Sequence, residues 1–102
     1  MEIKEWQGAV DEWIRTVGGG YFSPLTNTAL LAEETGEVAR IIARTHGEQR
    51  PKPGDKPGDL ADELADLIRV ATCIATQSGI DLEQALTRNL QKIRTRDKDR
   101  FK

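Results

Sequence analysis

Apolar residues recur at intervals of three and four in four separate stretches of this chain, and each stretch is punctuated by glycine or proline. In the first, Ile3, Trp6, Val10, Trp13 and Val17 line one side of a helix that stops at Gly18-Gly19-Gly20. The second opens at Ser23-Pro24, a capping oxygen followed by a residue suited to the first helical turn, and runs to about Thr45. The third covers about Asp59 to Gln77 and meets its stop at Gly79. The fourth starts at Asp81-Leu82-Glu83-Gln84, a capping-box-like Asp-x-x-Gln, and reaches Arg94 or beyond. With only four valines and no strand-like alternation, the expected fold class is all-α. Residues 47–58 hold three prolines, three glycines and no hydrophobic side chain, and read as a flexible loop rather than a domain boundary. A length of 102 residues then predicts one domain spanning 1–102.

Such a domain has little to bury. Its hydrophobic content of 37% lies below the ~45–50% (glycine included) usual for globular chains, so a thin core that a partner chain helps to complete is expected. No run approaches ~20 apolar residues, and Met1-Glu2-Ile3-Lys4-Glu5 lacks the form of a signal peptide, so the expected protein is soluble and cytoplasmic, with no membrane contact. Cys73 is the one cysteine; it excludes disulfides and zinc clusters and reads as a small core residue. Charge is sharply divided: residues 1–87 carry 8 Lys/Arg against 15 Asp/Glu, whereas the basic end, 88–102, carries 7 against 2. That division fits cation binding by the acidic body and phosphate binding by the basic end, or docking between subunits.

The acids of the second and third helices stand where apolar residues belong. At 100° per residue from Leu30, Ile41 falls near ~20°, Glu34 near ~40° and Glu37 near ~−20°, so two glutamates occupy the apolar stripe, with Glu33 at its border near ~−60°. On the third helix Glu63 lies between Val70 and Ile74, and Asp66 lies beside Cys73. Carboxylates on a buried face need a compensating cation. If the two helices pack antiparallel, each supplies an acid pair at i, i+3 and four carboxylates converge. Oxygen-only ligation favours a hard cation, Mg²⁺ or Mn²⁺. Glu34-Thr35-Gly36-Glu37 and Glu63-Leu64-Ala65-Asp66 lack the histidines of a di-iron bundle, and His46 reads as an exposed helix-terminal residue.

Glu33-Glu34-x-x-Glu37 with Glu63-x-x-Asp66 resembles the defining motif of the MazG-like nucleoside triphosphate pyrophosphohydrolases. The segments Gly20-Tyr21-Phe22-Ser23-Pro24-Leu25 and Thr95-Arg96-Asp97-Lys98-Asp99-Arg100 are also similar to short, single-domain members, and the resemblance spans about residues 6–101. It implies a four-helix bundle-type fold completed by assembly into a homo-dimer or homo-tetramer, and Mg²⁺-dependent cleavage of a (deoxy)nucleoside triphosphate to the monophosphate and pyrophosphate. It implies Glu34, Glu37, Glu63 and Asp66 as metal ligands. Glu33 would complete the catalytic set by supporting a ligand, adding another, or orienting the attacking water.

A triphosphate also needs cations from the protein. Lys92 and Arg96, neighbours at i, i+4, are the expected contacts, with Asn89 and Arg100 beside them. The alternative for these side chains is a solvated basic helix end favoured by the macrodipole. Trp13, Tyr21 and Phe22 offer flat surfaces for a base and Asn27 a base- or sugar-reading amide, although the periodicity marks Trp6 and Trp13 equally as core. Two other classes compete with the enzyme. A nucleic-acid-binding module is disfavoured by the acidic body; a non-catalytic helical module that binds nucleotide or protein would share the same helices.

Overall fold

Four helices follow one another in the computed structural model: α1 (Ile3–Thr16), α2 (Pro24–His46), α3 (Leu60–Gln77) and α4 (Leu82–Arg96). The structure describes residues 1–48, 58–97 and 100, and no strand occurs among them, as the all-α expectation requires. The loop expected over 47–58 falls for the most part outside the described residues, as do residues 98, 99, 101 and 102 of the basic end.

Local chemistry sets the helix ends. The Ser23 hydroxyl accepts the Thr26 N–H at 3.2 Å ahead of Pro24, and the Asp81 carboxylate accepts the Gln84 N–H at 3.1 Å. Asp59 does the same for α3, accepting the Ala61 N–H at 2.8 Å. α3 stops in a Schellman arrangement: Gly79 takes φ +70, its N–H donates to the Thr76 carbonyl at 3.1 Å, and the Ile80 N–H donates to the Ala75 carbonyl at 2.9 Å.

The chain forms two compact units, Met1–Tyr21 with Ala75–Lys102, and Phe22–Ile74. In the first, α1 packs on α4. One side-chain amide ties them through the turn before α4: Gln7 donates to the Ile80 carbonyl at 2.8 Å and to the Thr76 hydroxyl at 3.1 Å, and accepts the Leu82 N–H at 2.9 Å. Its acceptor contact satisfies one of the backbone donors that the start of α4 leaves open. Val10 and Ala75 are buried here. Trp13, one of the two tryptophans the periodicity marks as core, is instead 58% exposed. Its ring lies along the end of its own helix, where a Cβ at Gly18 would come within 2.8 Å of Cζ3, so Gly18 is required for this close approach.

In the second unit α2 and α3 run antiparallel. Gly58, just before α3, sits against Ile41 near the end of α2, whereas Glu63 and Asp66, further along α3, meet Glu34 nearer the start of α2. Ile41, Val70 and Cys73 form the buried apolar part, and Thr72, fully buried, returns its hydroxyl to the Ile68 carbonyl at 2.7 Å. Cys73 is therefore the core residue its surroundings in the sequence imply. Large apolar side chains stay exposed in each unit, among them Leu86, Leu90 and Ile93 along α4, and Leu25, Leu64 and Ile68 in the second unit.

Candidate metal centre

The antiparallel pairing of α2 and α3 brings one carboxylate oxygen each from Glu34, Glu63 and Asp66 within 4.8 Å of one another. All three side chains are half-buried. Loss of water around Glu34, followed by the charges of Asp66, Glu63 and Glu33, raises the pKa of its carboxyl above the ordinary value; Arg69 acts in the opposite sense. The three acids thus repel one another in a partly dehydrated setting, and a cation among them would relieve that repulsion. Their spacing fits this role, since oxygens on opposite sides of a hard divalent cation, each at ~2.0–2.5 Å, lie about 4–5 Å apart.

Glu37 stands apart from this group. Its Oε2 accepts both the Nε and the Nη2 of Arg40, at 3.1 and 3.0 Å, one turn further along α2. Asp66 has a matching partner in Arg69, through one contact of 3.3 Å to Oδ1, but remains within the cluster. Glu33 is exposed beside them. Neither arginine emerges from reading the acids alone. The available signal is their spacing, Glu34-x-x-Glu37-x-x-Arg40 and Glu63-x-x-Asp66-x-x-Arg69, which repeats one pattern on two helices.

The basic residues proposed for phosphate lie on and after α4. Lys92 and Asn89 are exposed. Arg96 places Nε and Nη2 on the two oxygens of Asp97 at 3.2 and 3.1 Å, and Arg100 reaches the same carboxylate at 3.9 Å. Asp97 thereby gathers both arginines, a role the charge count conceals. Among the proposed base-contacting residues, Trp13 and Phe22 are exposed, and Asn27 is inside the protein at 4% exposure. The Tyr21 hydroxyl donates to Asp11 Oδ1 at 2.5 Å; Arg15 pairs with the same oxygen at 2.8 Å and lies 5.9 Å from the tyrosine ring centroid. The Tyr21 hydrogen bond, then that of Arg15, lowers the pKa of the Asp11 carboxyl. His46 is exposed at the end of α2, as its position implies. No helix among the described residues is long and apolar enough to cross a membrane.

Residues 22–101 match the MazG nucleotide pyrophosphohydrolase domain. The chain is 39% identical over 99 residues to YpjD of Bacillus subtilis (strain 168), covering 97% of this chain and 89% of that protein. The crystal structure of Bacillus subtilis YpjD is similar with a TM-score of 0.80 at 37% identity, over 95% of this chain and 97% of that one. A Bacillus-conserved MazG protein, a nucleotide pyrophosphohydrolase, is similar with a TM-score of 0.78 at 39% identity, over 97% and 96% of the two chains.

Proposed function

The chain belongs to the MazG nucleotide pyrophosphohydrolase family, and from that premise we propose that it hydrolyses (deoxy)nucleoside triphosphates to the monophosphate and pyrophosphate with Mg²⁺, or Mn²⁺ in its place. The observation that carries this reading is the convergence of Glu34, Glu63 and Asp66 from two helices within 4.8 Å. These three residues, with Glu37 as the fourth acid, would hold the cation. When bound, the cation neutralises charge on the phosphates and makes water a better nucleophile.

The remaining work falls to the chain's own residues. Water attacks the α-phosphorus; the bond from that phosphorus to the α–β bridging oxygen breaks, and pyrophosphate leaves with the electron pair. Glu33, exposed beside the cluster, is the residue proposed to orient the water and take up its proton. Lys92 and Arg96 are the proposed triphosphate contacts, with Asn89 and Arg100 as further ones; Asp97, which pairs with both arginines, competes with phosphate for them. Trp13, Tyr21 and Phe22 supply aromatic faces for the base. The exposed stripe of Leu86, Leu90 and Ile93 on α4 supports assembly into a homo-dimer or homo-tetramer.

The test is product analysis. Purified protein is incubated with each common NTP and dNTP, with Mg²⁺ or with EDTA, and pyrophosphate is resolved from orthophosphate. Metal-dependent monophosphate and pyrophosphate in equal amounts are expected; orthophosphate as the first product, or no turnover of any nucleotide, refutes the proposal. Asp66→Asn and Glu37→Gln should each abolish turnover while the helical circular dichroism spectrum persists.

A further inference from the structure

We infer that Arg40 is a positioning residue that holds Glu37 away from the other three acids, so that a cation entering the site competes with it for Glu37. The inference rests on the proposed role of these acids in holding a cation. Three observations carry it. Glu37 and Glu34 have the same i, i+3 relation as Glu63 and Asp66, yet only Glu34, Glu63 and Asp66 converge. Both guanidinium contacts to Glu37 fall on one oxygen, Oε2, at 3.0 and 3.1 Å. On α3, where Arg69 makes a single 3.3 Å contact to Asp66 at the same spacing, the acid stays in the cluster. The double contact therefore distinguishes the acid that is held back from the one that is not.

The physical reason lies in charge. Three carboxylates crowd together on the facing sides of α2 and α3, and a fourth would add to their repulsion. Arg40 gives Glu37 a partner outside the cluster, so the arrangement is stable until a divalent cation offers a stronger one. The pair is half-exposed, with side-chain exposures of 35% for Arg40 and 41% for Glu37, so the competition it presents is modest.

Mn²⁺ binding without nucleotide, followed by electron paramagnetic resonance of the free ion, separates the possibilities. Arg40→Gln should tighten Mn²⁺ binding by about two- to five-fold, the factor matching a half-exposed ion pair. Arg40→Lys, which keeps a cation at that position, should return the affinity toward wild type. In a Glu37→Gln background, Arg40→Gln should leave the Mn²⁺ affinity unchanged, because no carboxylate remains to be released. Equal tightening in both backgrounds assigns the effect to long-range charge and overturns the inference. Weaker or unchanged binding by Arg40→Gln, with the helical spectrum intact, also overturns it. Absence of Mn²⁺ binding in every folded form overturns the reading of the acids as a cation site, and this inference with it.

Discussion

Two glycines with equally open surroundings should respond in opposite directions to the same substitution. Gly36 lies inside α2, between Glu34 and Glu37 in the chain, and a Cβ built there meets nothing within 4 Å. A Cβ at Gly79 also meets nothing within 4 Å, but this residue has φ +70 at the end of α3. Alanine is favoured over glycine in a helix interior by ~0.8–1.0 kcal/mol, so Gly36→Ala should stabilise the fold by about 1 kcal/mol. Gly79→Ala places a side chain in the left-handed region at a cost of ~1–2 kcal/mol, with no steric clash to add. For a domain of this size each kcal/mol moves Tm by roughly 4–8 °C. Thermal melts followed at 222 nm, at matched protein concentrations, should thus show Gly36→Ala melting about 4–8 °C above wild type and Gly79→Ala at least as far below it. A fall in Tm for Gly36→Ala would show that another group approaches this position, and a rise for Gly79→Ala would show that the turn does not need its positive φ.

The Asp11 carboxyl titrates below its ordinary value of 3.8, chiefly through the Tyr21 hydroxyl and then Arg15. Its stabilisation is present above that ordinary value and is lost as pH falls through the lower folded value. Tyr21→Phe should accordingly flatten the dependence of Tm on pH at and below 3.8, and an unchanged slope would contradict the assignment. Burial pushes the Cys73 thiol up, so its reaction with a disulfide reagent near pH 8 should be about tenfold or more slower in the native protein than in denaturant; equal rates would place Cys73 at the surface. Ile41→Ala, at a site 5% exposed against Gly58, should cost ~2–5 kcal/mol in chemical denaturation, and a loss under about 0.5 kcal/mol would mean that Ile41 contributes little to the core.

Helix ends are legible where they depend on neighbours in the chain. Ser23 and Asp81 cap as their positions imply, and Gly79 ends α3, because each acts within a few residues of itself. Glu34, Glu63 and Asp66 are legible because acids intruding on apolar arcs at i, i+3 restrict how α2 and α3 can pair. The position of Glu37 is not. A helical wheel places both a cluster of acids and Arg40 within its reach, and the choice turns on a difference of about 1 kcal/mol or less that spacing cannot rank. The exposure of Trp13 is hidden for another reason: periodicity identifies a helix face but not whether anything covers it. Likewise the Tyr21–Asp11 contact follows a chain reversal through Gly19 and Gly20, at φ +83 and +102, and side-chain type alone does not specify that path.

In the proposed mechanism Glu34, Glu63 and Asp66 hold the cation on which triphosphate cleavage depends. Crystals grown with Mn²⁺ and a triphosphate carrying a non-hydrolysable α–β link, measured for anomalous scattering of manganese, test it most directly. A manganese peak within bonding distance of oxygens from all three acids and of the triphosphate is expected. A peak bound elsewhere, or a triphosphate seated away from these acids, would contradict it.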